Sequence, residues 1–190
     1  MAERSVLKYP HPILREPCAP VTTWDSALQK LIDDMTETLY ASPGAVGLAA
    51  NQVGESVRVI LLDVTSKGDR SAFKILINPT ITAQSRNKFM REGCLSFPDY
   101  LANIKRATNV TFTAYDREEC LQTYTVRGLE AVAIQHEIDH LDGIVMLDRI
   151  QSLKTDWIRR QAKLSPPKDL TLPEGTQSFQ PGAPSDNKPV

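Results

Sequence analysis

The amino-acid sequence predicts an α+β fold, in which antiparallel or mixed β-sheets surround a central helix and an N-terminal helix precedes them. Two stretches have the apolar period of an amphipathic helix, and the region between them has the two-residue period of strands. The strand-like stretches follow one another without intervening helices, which favours antiparallel pairing. The chain has 190 residues, 41% apolar and 24% charged, as is typical of a globular protein with its own core.

The N-terminal helix is predicted from a run of regularly spaced apolar residues and from signals at both ends. Thr22 and Asp25 have the spacing of a helix-capping box, and Ser42-Pro43-Gly44 predicts the end of the helix. The apolar positions are Trp24, Leu28, Leu31, Ile32, Met35 and Leu39. This spacing places them on one face, which is therefore expected to pack on the core.

Four strand-like stretches follow, and a second helix comes after them. The strands are predicted over 57–62, 73–81, 110–115 and 121–126, with turn-forming residues at Gly68, Asn78-Pro79 and Asp116-Arg117. The second helix is predicted from about Leu129 to Leu141, and Gly143 predicts its end.

The composition changes once, near Leu164. The segment 165–190 holds six of the 13 prolines and few large apolar residues, so it is predicted to be a disordered tail after a folded domain over 1–164. Within that domain, apolar residues at helical spacing and several basic residues predict a basic C-terminal helix over 150–164.

Charge, cysteine content and hydropathy limit the functional classes. A net charge of −1 argues against a protein that coats DNA or other nucleic acid, and an odd set of three cysteines fits a reducing compartment. The sequence contains no apolar run of the length that a membrane span needs, and its first residues do not resemble a targeting peptide. We therefore expect a cytoplasmic protein with no membrane partner.

The strongest chemical signal is the run His136-Glu137-Ile138-Asp139-His140 on the second helix. Histidines at positions i and i+4 lie on one face of a helix and can bind one metal ion, with Glu137 beside it. The apolar stripe of the helix continues into these residues, which is not expected of a solvated face. The third histidine, His11, lies between two prolines and is interpreted as a bystander.

Two histidines leave such a site one protein ligand short. A metzincin would have its third histidine where Met146 stands, and Glu174, the only glutamate after His140, lies in the predicted tail. Cys94 is then the best candidate, because Gly93 before it lets the backbone approach a metal closely. Cys18 and Cys120 lack such a setting.

A stretch of small residues, 44–52, follows the first helix. It reads either as a tight packing segment or as a place where the backbone of a ligand approaches closely. Gln52, at its end, could direct an amide N–H at an oxyanion. The stretch matches neither phosphate-binding glycine pattern.

Together these segments resemble the peptide deformylase family, whose pattern is G-x-G-x-A-A-x-Q, E-G-C-L-S and Q-H-E-x-D-H in that order. They are 45–52, 92–96 and 135–140 here, and the resemblance extends over 6–150. It implies a catalytic metallohydrolase that removes the formyl group from the N-terminal formylmethionine of newly synthesised polypeptides and releases formate. Ala45 departs from the pattern, which has glycine there.

The resemblance also implies a role for individual residues. Cys94, His136 and His140 would hold one divalent metal, Fe²⁺ by resemblance, with Zn²⁺, Ni²⁺ or Co²⁺ as substitutes. Glu137 would be the general acid and base, while Gln52 and the backbone N–H of Leu95 would stabilise the oxyanion. The implied substrate-binding residues are Val46, Gly47, Met90, Leu129, Val132 and Ala133. Family members can dock near the ribosomal exit tunnel, which implies a ribosome contact through 150–164.

Two other classes of protein share some of these features. A general zinc peptidase would share the helix motif, but its third ligand would be a histidine or carboxylate at a spacing that the chain lacks. A non-catalytic binding protein with a structural zinc site would need a fourth protein ligand and would have no use for Glu137 or Gln52.

Overall fold

The computed structural model describes residues 2–65 and 69–160, and its first α-helix, α1, spans Ser26–Ala41. Asp25 caps this helix, because its side chain accepts a hydrogen bond of 2.9 Å from the backbone N–H of Leu28. Ser42 ends the helix, and Gly44 follows with a φ of +72°, a conformation that glycine adopts without strain. The predicted N-terminal helix and its end at 42–44 are thus confirmed, whereas the predicted Thr22–Asp25 capping box is wrong, because Asp25 itself is the N-cap and Trp24 precedes the helix.

The described residues contain a sheet of six strands, and every pair of neighbours in it is antiparallel. The strands are β1 (Gly47–Ala49), β2 (Val59–Leu62), β3 (Lys74–Cys94), β4 (Phe97–Tyr115), β5 (Leu121–Arg127) and β6 (Trp157–Arg159). The first five pair in chain order, and β6 pairs with β4. The predicted antiparallel arrangement is confirmed for the part of the chain described.

β3 and β4 form a hairpin that is far longer than the sequence pattern predicts. Residues 82–89 of β3 are exposed, so they lack the apolar alternation from which a strand is recognised. They are strand-like because they pair with β4 along its length. The predicted break at Asn78-Pro79 is a shift in register within β3, where Asn78 has a φ of +52°.

The second helix, α2, spans Leu129–Leu141 and lies buried beside the sheet. Its side chains are buried from Ala131 to Leu141, where they pack with residues of β2, β4 and β5 in one core cluster. Gly143 follows with a φ of +72°, and a Cβ there would lie 2.6 Å from the carbonyl oxygen of Arg15. The bounds of α2 are those that the sequence pattern predicts for the second helix.

The predicted basic helix over 150–164 is wrong for the residues that the structure describes. After a short helix, α3 (Met146–Arg149), the chain forms a turn and then β6. Trp157 stacks on Tyr100 with the ring centroids 4.8 Å apart and meets the edge of Phe97 at 5.5 Å. Pairing with β4 and this aromatic contact outweigh the helical spacing of the apolar residues.

The structure does not test the predicted C-terminal tail. Residues 161–190, including the predicted tail, are outside the described residues. Among the helices of the described part, none is long and apolar enough to span a membrane.

Candidate active site

Two elements meet at the predicted metal ligands. α2 contributes His136 and His140, one turn apart, and β3 contributes Cys94 at its last position. All three residues are buried, and the two imidazole rings have their centroids 5.0 Å apart. The antiparallel hairpin therefore brings Cys94 to the helix, although Cys94 and His136 are 42 positions apart in the chain.

The three ligand atoms fit a tetrahedral metal site. They lie within 4.8 Å of one another, and the Cys94 Sγ is 3.2 Å from the His140 Nε2. Metal distances of about 2.3 Å to sulfur and 2.0–2.1 Å to nitrogen in a tetrahedron place such atoms about 3.5 Å apart. Among the described residues the cluster holds no fourth protein ligand, which argues against the closed site of a structural zinc protein.

The charge state of Cys94 suits metal binding. Burial opposes ionisation of the thiol, but the neighbouring His140 and His136 outweigh burial and hold the pKa of Cys94 well below its usual value. A thiolate is the form of cysteine that binds metals. The Ser96 N–H donates to its sulfur at 3.4 Å, which further favours the charged form.

A chain of buried charges holds His136 in place. Its Nδ1 lies 2.8 Å from the Oε2 of Glu92, so the other ring nitrogen is free to face a metal. Arg106 donates to Glu92 at 2.7 Å and to Asp139 at 2.6 Å, and Arg149 donates to Asp139 at 2.5 Å. The sequence analysis missed this network. Glu92 and Asp139 were visible as acids within the motifs, whereas nothing in the sequence marks Arg106.

Glu137 lies beside the ligands with one oxygen unused. Its Oε2 is buried and has no hydrogen-bond partner among the described residues. Burial raises the pKa of Glu137 above its usual value, while His136 and His140 act in the opposite direction. Gly47 lies against this side chain, because a Cβ on Gly47 would be 2.5 Å from the Glu137 Oε1. A carboxylate held in this way can exchange protons with a reacting group.

Gln52 is oriented with its amide nitrogen towards the cysteine. It lies in a 3₁₀-helix, Ala50–Val53, and its Oε1 accepts a hydrogen bond of 2.9 Å from the Ala49 N–H. Its Nε2 donates to the Ser96 hydroxyl at 3.2 Å and lies 3.6 Å from the Cys94 Sγ. The fixed carbonyl end leaves the NH₂ end directed at the site, as an oxyanion donor requires.

Leu95 and Ser96 form the turn between β3 and β4, directly after Cys94. The N-terminal residues fasten this turn: Tyr9 N–H donates to the Ser96 carbonyl at 3.0 Å, and Lys8 Nζ donates to the Leu95 carbonyl at 2.7 Å. The Leu7 N–H likewise donates to the Gln52 carbonyl at 2.8 Å. The same strap of residues, 7–9, therefore holds both segments that carry the predicted oxyanion donors.

A cleft of about 440 Å³ opens over these groups. Of the predicted site residues, those that line it are Val46, Gly47, Gln52, Cys94, Leu95, Leu129, His136 and Glu137. His140 lies beneath them and is 1% exposed.

Three predicted substrate-binding residues do not line this cleft. Val132 and Ala133 are buried in α2, and Ala133 belongs to the core cluster beneath the sheet. Met90 lies in β3 opposite Ile104. The structure also adds lining residues that the sequence analysis missed, including Lys8 and Arg160, which no local pattern marks.

Comparison with known proteins identifies close relatives. The model of the polypeptide deformylase family matches residues 3–156. A peptide deformylase of Syntrophobacter fumaroxidans is 44% identical over 163 residues, which cover 86% of this chain and 95% of the relative. The crystal structure of a peptide deformylase from Legionella pneumophila has a TM-score of 0.76 and 40% identity, covering 80% of this chain and 89% of that one. The peptide deformylase structure from Thermotoga maritima has a TM-score of 0.74 and 33% identity, covering 80% and 100%.

Proposed function

Because the chain belongs to the polypeptide deformylase family, it is a metal-dependent hydrolase that removes the N-formyl group from newly synthesised polypeptides, and we propose that Cys94, His136 and His140 hold its metal. The observation that carries this assignment is the buried cluster of one thiolate and two imidazoles, with the unpartnered carboxylate of Glu137 beside it. When bound, the metal supplies Lewis acidity that polarises the formyl carbonyl and acidifies a water.

The residues of the chain then have distinct tasks. Glu137 takes a proton from the attacking water, whose oxygen forms a bond to the formyl carbon, and later delivers a proton to the leaving amine nitrogen as the C–N bond breaks. Gln52 Nε2 and the Leu95 N–H donate to the oxygen that becomes negative. Loss of one such donor typically costs about 2.7–4 kcal/mol of transition-state stabilisation. The products are formate and a free N-terminal amine.

The cleft residues support a role in seating the substrate. Val46 and Leu129 give the cleft apolar surface, and Leu129 is 54% exposed although it is a large aliphatic side chain. An unbranched methionine side chain fits against such surface. Gly47 also lines the cleft, and the Glu137 side chain occupies the space that a Cβ at this position would fill.

Formate release from formyl-Met-Ala-Ser tests these roles. We expect Glu137→Ala to retain its metal and to lose about 10²–10⁴-fold in kcat, because a general acid and base has been removed. Cys94→Ala should instead lose metal, which is measured by elemental analysis after dialysis. Glu130→Ala, on the first turn of the same helix, is the matched control and should keep both. Full turnover by Glu137→Ala would contradict the assignment.

We propose Fe²⁺ as the native metal. The ligand set of one thiolate and two imidazoles suits Fe²⁺, Zn²⁺, Ni²⁺ and Co²⁺, so selection depends on geometry and supply. Elemental analysis of protein purified without oxygen distinguishes these ions. Iron at one equivalent per chain, with activity lost in air and restored by Fe²⁺, is the expected result, whereas Zn²⁺ in fully active anaerobic protein would overturn it.

We propose that the protein acts in the cytoplasm and contacts the ribosome through 150–164. The three cysteines are free, as a reducing compartment favours, and basic residues in this segment include Lys154 and Arg159. Co-sedimentation with ribosomes tests the contact. Reversal of both charges to glutamate should abolish binding and preserve deformylation, and unchanged binding would contradict this proposal. Cell fractionation tests the location.

A further inference from the structure

Two cationic side chains line the cleft, and neither takes part in the proposed chemistry. Among the residues that line the cleft, Lys8 and Arg160 are positively charged, and Glu137 carries the single carboxylate. Glu137 is buried, whereas Lys8 and Arg160 are exposed. Within the described residues, neither cation forms an ion pair. The mouth of the cleft therefore carries net positive charge over a neutral to acidic floor.

Lys8 is held beside the turn that carries Leu95. Its Nζ donates to the Leu95 carbonyl at 2.7 Å, which occupies one of its three N–H groups. The neighbouring Tyr9 N–H bonds to the Ser96 carbonyl at 3.0 Å, so the backbone beside Lys8 is fixed as well. The remaining two N–H groups are available to a ligand in the cleft.

Arg160 also lines the cleft. It follows β6, and its backbone N–H donates to the Asp99 carbonyl at 2.7 Å. Its guanidinium lies against the α-carbon of Gly93, because a Cβ built on Gly93 would collide with the Arg160 Nη2. Gly93 directly precedes Cys94. The absence of a side chain at Gly93 thus makes room for a planar cation next to the site, where it can bind a carboxylate with two hydrogen bonds.

We propose that Lys8 and Arg160 select formylated peptides that carry carboxylate side chains at the residues after methionine. This inference rests on the proposed function of the cleft and adds the charge preference of its substrates. An extended peptide rises about 3.3 Å per residue, so the second and third residues of a substrate lie about 7–10 Å from the scissile amide, at the mouth of the cleft. The fixed cations attract acidic side chains there and repel basic ones.

The size of the effect follows from the exposure of the two cations. Exposed ion pairs are weak, and each corresponds to a gain of about 1.5- to 5-fold in kcat/KM. Two such pairs together therefore predict a preference of about 2- to 25-fold for an acidic peptide over a neutral one. Salt at about 1 M reduces the Debye length to about 3 Å and should bring this preference close to one.

The experiment compares three peptides with amidated C-termini: formyl-Met-Ala-Ala, formyl-Met-Glu-Glu and formyl-Met-Lys-Lys. The readout is the ratio of kcat/KM for each charged peptide to that for the neutral peptide, measured as formate release by the metal-loaded full-length protein. The ratio cancels any general change in activity. We expect the acidic ratio to exceed one, the basic ratio to fall below one, and both to approach one in high salt.

Single substitutions assign the effect. Arg160→Gln should lower the acidic ratio by about 1.5- to 5-fold. Lys88→Gln removes one positive charge from the exposed part of β3 and should leave the ratio unchanged, because Lys88 does not line the cleft. An acidic ratio of one in the wild type, or equal ratios in wild type and Arg160→Gln, would overturn the proposal. If none of the three peptides is cleaved, the proposed function is overturned instead.

Discussion

Gly47 shows how the smallest side chain positions a catalytic one. A Cβ at this position would lie 2.5 Å from the Glu137 Oε1 and 2.8 Å from both the Cδ and the Cγ, so alanine cannot be added without moving the carboxylate. The φ of Gly47 is not in the left-handed region, so the need for glycine here is one of space and not of backbone strain. The contact with Glu137 therefore explains why position 47 is a glycine.

We expect Gly47→Ala to lower kcat by about 100-fold, because a displacement of about 1 Å in a catalytic group has that effect. Metal content should stay at the wild-type level, since Gly47 does not contact the three proposed ligands through a polar group. The measurement is steady-state formate release with elemental analysis of the same sample. Wild-type kcat in Gly47→Ala would show that Glu137 can relax freely, which the buried packing of the site contradicts.

Glu92 orients a proposed ligand, and its effect on metal affinity can be measured. Its Oε2 lies 2.8 Å from the His136 Nδ1, while Arg106 binds the other oxygen at 2.7 Å. We expect Glu92→Gln to weaken metal binding by about 10- to 100-fold, because the partners of metal-bound histidines contribute that much. Competition with a chelator measures the affinity. Glu130→Gln, which removes a partly exposed carboxylate from α2, is the control.

The predicted site residues were recoverable from the sequence because they lie in short contiguous motifs. The spacing of His136 and His140 on one helix fixes their common face before the fold is known. The positions of Val132 and Ala133 depend instead on which side of α2 meets the sheet, and the structure buries both. Arg160 follows β6 and is 67 positions from Gly93 in the chain, so its approach to Gly93 is a property of the tertiary structure.

At the scale of elements, the two predicted helices agree with the structure because each has clear end signals. Asp25 caps α1, and Gly143 ends α2 with a positive φ. The middle of the β3–β4 hairpin was not predicted, because exposed residues at 82–89 show no alternation and pair only through contacts with β4. Strand formation there is decided by a distant partner and not by local sequence.

The strand β6 depends on one aromatic side chain. Trp157 packs on Tyr100 and Phe97 and is half-buried, so we expect Trp157→Ala to reduce the free energy of unfolding by about 2 kcal/mol, below the 3–5 kcal/mol of fully buried aromatic residues. Urea denaturation measures this loss. Leu153→Ala, at a leucine that is 70% exposed, should change stability by less than about 0.5 kcal/mol. An equal effect of the two substitutions would contradict a packing role for Trp157.

At the scale of the whole molecule, one buried carboxylate ties the N-terminus to α1. Asp34 is 2% exposed and accepts hydrogen bonds from Lys30 at 2.7 Å, from the Ala2 N–H at 2.9 Å and from Arg4 at 3.3 Å. The hydrogen bond from Lys30, supported by those from Ala2 and Arg4, lowers the pKa of Asp34 to about 2. Charged Asp34 therefore stabilises the folded chain.

This carboxylate predicts a defined dependence of stability on pH. A carboxyl whose folded pKa lies below its unfolded value of about 3.9 stabilises the protein above that pH and loses its contribution as the pH falls towards 2. We expect Asp34→Asn to be less stable than wild type at pH 7, with the difference shrinking between about pH 4 and pH 2. Urea unfolding at a series of pH values measures it. Asp33→Asn, at the neighbouring, more exposed carboxylate, is the control, and a gap that stays constant with pH would contradict the argument.

The strap of residues 7–9 has a consequence for the order in which the protein is completed. During synthesis these residues emerge before their backbone partners at Gln52 and Ser96, which follow roughly 45 and 90 residues later. Their hydrogen bonds must therefore wait for long-range loops to close. His140 appears later still. An enzyme that acts on emerging chains thus cannot acquire its own chemistry while most of its domain is still being made.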